Sequence, residues 1–507
     1  MKNLKVSPQR VKKVVERRAR SRYEFVPRSL DDHPKSFERG RTPGPTTHTQ
    51  MSSCEDSTLR VALVPGKRVV IPVSGGLPRE NSPSSSLPIV AWVGLDWADP
   101  APAVCLQAAD SSHLERCELK HTAEALQLWV AELQSRFPQG RVAIALEPSR
   151  GALFSALMTY DFLVLYPLPP KALADYRKAL YPSGSKHDPG DAQLLLEFLR
   201  KHLEHFRPGV ADDAPTREIA FLLQHRRKLV DDRTALTHRL QTLLQGYFPQ
   251  ALECLGDLTA PLACDFLGKF TSLEEVQKAS PLKVLKGYRA HTRRTPEQIE
   301  QLLDQIRTAR PLTTDRAVIE SSALMALAQV DQWRALAAGL ERLEEKLQEL
   351  FAAHPDQAIF TSFPGAGPAL APRLLAAWGT DRQRYKAAAD MECLSGAAPV
   401  TDQSGKKCWV HGRLACPKFL RQTFPEFAGQ SILWSPWARA YYQQMRQRGL
   451  HHHPAVRSLA FKWIRIIYRC WKDHTLYDEA RYQKALQRRG SPLAAALHQL
   501  STQGARA

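Results

Sequence analysis

Long apolar runs are missing from this chain. No uninterrupted hydrophobic stretch approaches the roughly 18 residues that cross a bilayer, which excludes a helical membrane protein. Residues 1–22 carry Lys and Arg throughout with no apolar segment between them, which excludes a secretory leader and predicts an intracellular location. Paired cysteines are missing as well. The nine present (Cys54, Cys105, Cys117, Cys254, Cys264, Cys393, Cys408, Cys416 and Cys470) are scattered and include no CxxC pair, so neither a disulfide framework nor a ribbon-type zinc site is expected. Acidic residues are scarce only at the two ends. Residues 1–88 hold 17 Lys and Arg against 8 Asp and Glu, and residues 401–507 hold 18 against 5, whereas residues 89–400 hold 35 against 38. Basicity concentrated in this way predicts a polyanionic partner, nucleic acid first, because neutralised phosphates release counterions.

What is present divides the 507 residues into about three folded units. Residues 1–88 are rich in Pro, Ser, Arg and Thr without a sustained apolar period, and read as a basic, disordered leader with a hairpin pattern over residues 60–73. Residues 89–210 read as an α/β domain. Ile89 to Asp96 is a buried-strand pattern, Ala103 to Ala108 and Leu114 to Lys120 continue it as a meander, and helical and strand periods then alternate to Pro167. Residues 211–353 read as a helical, coiled-coil-like connector. Leu222, Leu229, Leu236 and Leu243 recur every seven residues, and Trp333, Leu336, Leu340, Leu343, Leu347 and Leu350 alternate three and four. An intermolecular seam and two helices packed within one chain fit that pattern equally. Residues 354–480 read as a further helical domain and residues 481–507 as a basic frayed tail; five of the ten tryptophans lie in the last 99 residues and supply bulk for a core.

Four carboxylates stand where chemistry is expected. Asp96 ends the first strand and Glu147 ends another, and side chains at strand ends of such a sheet face the crevice where ligands bind. Asp188 is placed to cap a helix whose first residue is Pro189, with Asp191 three residues on and on the same face. Singly, each acid is explained as a cap or a strand end. Gathered at one sheet edge they would repel one another unless a divalent cation such as Mg²⁺ or Mn²⁺ neutralised them. Two such metals about 4 Å apart can hold the attacking and leaving oxygens of a phosphodiester. Ser404, in Gln403-Ser-Gly-Lys-Lys, lies at a turn whose Lys406 and Lys407 are candidates for phosphate contact; by itself it reads as a turn serine, since a free hydroxyl is a weak nucleophile. Lys462, Arg465, Arg469 and Lys472 share one face of a helix whose opposite face is apolar, and are either a phosphate-binding or a merely solvated face.

The order Asp96, Glu147, Asp188, Asp191, in the strings Val93-Gly-Leu-Asp96, Ala145-Leu-Glu147 and Lys186-His-Asp188-Pro-Gly-Asp191-Ala, resembles the DEDD transposases of bacterial insertion sequences, relatives of the Piv invertase. Residues 359–368 resemble the helix-hairpin-helix opening of that family's second region, and residues 394–407, around Ser404, resemble its second signature. The resemblance covers about residues 89–480 and implies a RuvC-like domain of the ribonuclease H fold, a connector, and a helical transposase domain. It implies that Asp96, Glu147, Asp188 and Asp191 hold Mg²⁺, and that Ser404 attacks a DNA phosphate and becomes linked to the strand. It further implies guidance by a structured noncoding bridge RNA, a dimer pairing to a tetramer, domains of different protomers meeting, and a bacterial cytoplasmic, nucleoid-associated location. The 88-residue leader departs from the family pattern, with Met51 as an alternative start, and Trp97 stands after Asp96 where relatives often carry a basic residue.

Two rivals stay open at this point. A junction-resolving nuclease would use the carboxylates to activate water and leave Ser404 structural. A non-catalytic nucleic-acid-binding protein would use the same acids only as caps and ion-pair partners.

Overall fold

A computed structural model describes residues 87–97, 102–147, 151–181, 188–291, 295–495 and 497. The leader up to residue 86, with its expected hairpin over residues 60–73, lies outside the described residues, as does the side chain of Asp188.

Strand β1 (Ile89–Asp96) is central in a five-stranded sheet of order β3-β2-β1-β4-β5. Strands β2 (Ala103–Ala108) and β3 (Glu115–Glu118) complete an antiparallel meander with it, while β4 (Arg141–Leu146) and β5 (Leu163–Pro167) run parallel to it. The parallel strands are linked through helices α1 (Ala123–Arg136) and α2 (Ala152–Leu157). Alternation along β1 sends Ala91, Val93 and Leu95, all fully buried, to one face, where they pack with Trp129, Val130 and Leu133 of α1. Thr122 starts α1 where the sequence pattern changes period, its side chain accepting from the Ala125 amide.

The other face is built for close approach. It presents Gly94, Ala143 and Ala145, and helices α3 (Pro170–Leu180) and α4 (Asp188–Lys201) cover it. A Cβ at Gly94 would lie 1.8 Å from the Ala192 carbonyl oxygen and 2.7 Å from the Leu196 nitrogen, so only glycine lets α4 lie directly on β1. Arg116 Nη2 donates to Gln193 Oε1 at 2.7 Å and Arg200 Nη1 to Gln107 Oε1 at 2.6 Å, fixing the helix over β2 and β3 at both ends.

Two long helices follow, α5 (Ala214–Tyr247) and, after the short α6 to α10 (Gln250–Leu255, Pro261–Leu267, Leu273–Lys278, Pro281–His291 and Pro296–Thr308), α11 (Arg316–Ala352). They pair antiparallel within the chain: Thr216 Oγ1 lies 2.9 Å from His354 Nε2, just past the end of α11, and Arg226 lies 2.6 Å from Glu344. The seven-residue leucine series is only partly the buried seam. Leu236 is buried and Leu222, Leu229 and Leu243 are half-buried, while Leu223, Leu240 and Leu244 are buried. A straight helix turns every 3.6 residues, so its inner face drifts off a strict seven-residue repeat. The short helices close one end around Phe266, Tyr288 and Trp333.

The remaining residues form α12 (Gln357–Thr361), α13 (Gly367–Trp378), α14 (Ala388–Leu394), α15 (Lys418–Trp434), α16 (Pro436–Gln447), α17 (His452–Lys472) and α18 (Glu479–Arg488). Trp378, Trp437, Trp463 and Trp471 are fully buried at the centre. Three of their indoles find acceptors: Trp437 Nε1 in the Tyr477 hydroxyl at 2.8 Å, Trp463 Nε1 in Ser431 Oγ at 2.8 Å and Trp471 Nε1 in the Gly379 carbonyl at 2.7 Å. Two features depart from expectation. A hairpin of β6 (Val400–Ser404) and β7 (Lys407–His411) interrupts the helices. The boundary expected near residue 480 falls inside α18, because Tyr482 packs against Trp437 with ring centroids 4.9 Å apart. Among the described residues no helix is long and apolar enough to cross a membrane.

Candidate active site

The strand register brings two of the four acids together. Leu95 pairs with Leu146 across parallel β1 and β4, so Asp96 and Glu147 are the next residues on strands about 4.8 Å apart. Both fall on the helix-covered face: Asp96 follows Gly94 in the alternation, and Glu147 follows Ala143 and Ala145. Asp96 is half-buried and Glu147 exposed.

Helix α4 supplies the other two. Its Ala192 rests on Gly94 while its Arg200 reaches Gln107, opposite Trp92, so α4 runs antiparallel to β1 with its first turn over the strand's carboxyl end. Asp191 is therefore carried toward the level of Asp96, and Asp188 is the first residue of the same helix. Asp191 is 5% exposed and meets Arg177 Nη2 of α3 at 2.7 Å. A carboxylate this buried requires a cation beside it. The Arg177 Nε is itself buried without a hydrogen-bond partner among the described residues. Nothing in the sequence singled out Arg177, because the helix–helix contact that delivers it depends on the fold. The ring pair Trp97 and His121, with centroids 4.0 Å apart, stands beside Asp96 at the departure noted in the sequence.

Carboxylate oxygens are hard donors of the type that suits Mg²⁺ or Mn²⁺, and the buried Asp191 has the Arg177 guanidinium as its counter-charge. Among the described residues only His202, Glu204 and His205, at the opposite end of α4, bring three donor atoms within 4.8 Å of one another. Their donor type differs, and Glu204 and His205 are exposed.

Ser404 is the last residue of β6, paired with Lys407 across a two-residue loop, and not within the turn itself. Gly405 has φ +56° and Lys406 has none in the positive region, the pattern of a II′ turn matched to strand twist. Residues 401–410 are all exposed, and among the described residues no side-chain hydrogen bond joins Ser404 to the acids. The four basic residues of α17 already have partners in the chain. Lys462 lies over the Tyr441 ring at 4.7 Å, where burial and then Arg465 hold its ammonium below the usual lysine range. Arg465 Nε meets the buried Glu392 at 2.6 Å, Arg469 meets Asp473 at 3.3 Å, and Lys472 donates to the Arg382 carbonyl.

A mixed sheet of this order, with acids at the carboxyl ends of β1 and β4 and a helical region beyond it, is compatible with a RuvC-like transposase. Residues 93–249 match the DEDD transposase domain of IS110 elements, and residues 357–443 match the transposase family IS116/IS110/IS902. The chain is 30% identical over 348 residues to the mini-circle protein assigned as the transposase for IS117 of Streptomyces coelicolor, covering 67% of this chain and 83% of that one. It is 26% identical over 398 residues to the 44.8 kDa protein of insertion element IS116 of Streptomyces clavuligerus, covering 77% of this chain and 96% of that one. Against the 42 kDa protein of IS900 from Mycobacterium paratuberculosis the identity is 25% over 401 residues, covering 77% and 97%. The chain belongs to the IS110/IS116/IS902 family of transposases. Transposition, with the DNA cleavage and rejoining that it entails, is its activity, and DNA is its substrate.

Proposed function

We propose that the transposase cuts and rejoins DNA by transesterification at Ser404, assisted by Mg²⁺ or Mn²⁺ held by Asp96, Glu147, Asp188 and Asp191. The observation that carries the reading is the convergence of Asp96, Glu147 and the first turn of α4 on one edge of one sheet face. When bound there, the cation polarises the phosphoryl oxygens and stabilises the departing oxygen. The chain's own groups do the rest. Ser404 Oγ forms a bond to phosphorus as the phosphodiester's bridging oxygen leaves with the electron pair, the serine proton passing to solvent or to an oxygen of the acid cluster. Reversal onto a new strand end releases the serine and reseals the DNA. Lys406 and Lys407, at the turn, offer ammonium donors to the flanking phosphates.

Ser404 stands on an exposed hairpin, and among the described residues no side-chain hydrogen bond joins it to the acids, which favours an assembly in which the hairpin of one protomer meets the sheet edge of another. The reading accordingly includes a dimer pairing to a tetramer, and a structured noncoding guide RNA bound by the basic surfaces that also handle DNA. The test is a denaturing gel of the element's junction DNA incubated with the protein and the RNA transcribed beside its gene. Wild type gives a covalent protein–DNA adduct, and Ser404→Ala gives none while still binding Mn²⁺. Protein-free cleavage products from Ser404→Ala would replace the serine with metal-activated water, the chemistry of a junction-resolving nuclease.

A further inference from the structure

The nucleophile's hairpin carries an aromatic residue that the fold does not use. Trp409 is 65% exposed on β7, and its neighbour Val410 on the opposite face is 57% exposed, so among the described residues nothing covers the ribbon. Strand alternation puts Asp402, Ser404, Lys407, Trp409 and His411 on one face. On that face Trp409 lies directly across from Asp402 and diagonal to Ser404, a separation of about 7–8 Å. Its ring is braced: it lies 4.4 Å from the His411 ring at 30° between planes, and His411 Nε2 is held 2.9 Å from Asp402 Oδ2.

A braced, outward aromatic ring beside two lysines, in the region that holds 18 basic residues against 5 acidic, is the equipment for stacking a base while phosphates are held alongside. We propose that Trp409 is a base-stacking platform, which holds an unpaired nucleotide of the DNA strand next to the phosphate presented to Ser404. The assignment deepens the serine reading and rests on it for the identity of that phosphate. The occupant is single-stranded DNA rather than duplex, because a ring can cover a base only where the base face is open. Asp402 and His411 are positioning residues that fix the platform's angle. The II′ turn at Gly405 shortens the arm so that ring and hydroxyl face the same strand.

The test uses the full-length Ser404→Ala protein, so that binding is measured whether or not serine is the nucleophile. Fluorescence anisotropy compares dT12, a blunt 12-base-pair duplex and rU12. Trp409→Ala is expected to weaken dT12 binding by about 5- to 150-fold, the worth of one stacked base, and duplex binding by less than about twofold. Trp409→Phe, which keeps an aromatic face, is expected to remain within about threefold of the parent. A dT12 carrying 5-iododeoxyuridine should photocrosslink to the peptide that contains Trp409. The platform is overturned if Trp409→Ala leaves dT12 binding unchanged, if it weakens dT12 and duplex equally, or if Trp409→Phe is as weak as Trp409→Ala. Crosslinking confined to another peptide overturns it too, and loss on rU12 without loss on dT12 transfers the ring to an RNA strand. A wild-type adduct that persists in Ser404→Ala would end the serine reading while leaving each of these binding results intact.

Discussion

The two ends of the proposed chemistry are built in opposite ways. The acids sit where β1, β4 and α4 are locked together, with buried alanines and a glycine under the helix and side-chain hydrogen bonds pinning its flanks. The serine sits on a two-stranded ribbon with residues 401–410 exposed. Rigidity belongs to the groups whose mutual geometry matters, and exposure to the group that must meet a partner. Electrostatic preorganisation depends on fixed donors, whereas a nucleophile can be delivered with its substrate.

The contrast can be broken by substitution, and the largest effect is expected at Gly94. Gly94→Ala places a methyl group 1.8 Å from a backbone oxygen, and should lower the urea midpoint by the equivalent of at least about 3 kcal/mol. A wild-type midpoint would show that α4 can lift off the strand and that the acid site is not rigid. If Asp96 holds the metal as proposed, Asp96→Asn should reduce strand cleavage at least about 100-fold on a junction-DNA gel. Arg384 and Asp212, joined at 2.8 Å and 3.0 Å, are both largely buried where the connector meets the helical half. Arg384→Met should cost about 3 kcal/mol of stability by leaving the Asp212 carboxylate with only the Thr380 amide and no counter-charge, and Arg384→Met with Asp212→Leu should recover much of it in a double-mutant cycle. Gly405→Ala, at φ +56° with open space around it, should cost about 1 kcal/mol, read as faster amide exchange confined to the hairpin.

The smallest effect is a pH dependence at the connector's root. Burial, partly offset by Asp213, Asp356 and Asp212 and reinforced by Arg382, holds the His354 imidazole below its ordinary 6.5. The unfolded chain therefore takes up this proton first as pH falls, so the contribution is complete above about pH 6.5 and lost below it. Urea midpoints at pH 7.5 and pH 5.5 should differ less in His354→Gln than in wild type.

Much of the fold was legible because it rests on local period. The meander, the alternation of helix and strand and the two long helices were all readable from side-chain spacing, and Val456, Leu459, Ala460, Trp463, Ile467, Cys470 and Trp471 are buried as one helical face, as expected. Register, which decides that Asp96 neighbours Glu147, is a tertiary property, and the sequence offered only that each ends a strand. Arg177 and the Trp97–His121 pair were invisible for the same reason. The hairpin was within reach of local reasoning: Val400, Thr401, Trp409 and Val410 favour strands and flank a Gly-containing two-residue loop. On the basic face of α17 the sequence showed the charges but not their partners, Glu392 for Arg465 and a backbone carbonyl for Lys472, which depend on the tertiary fold.

The seat of α4 on Gly94 has one more consequence. With no side chain between them, helix and strand share a single chassis, so Asp96 and Asp191 are displaced together or not at all. If the proposed serine reading holds, a regulator has little to gain by prying the acids apart; its leverage would lie in whether the ribbon is ever admitted to them, and the control of when DNA is broken would then belong to assembly.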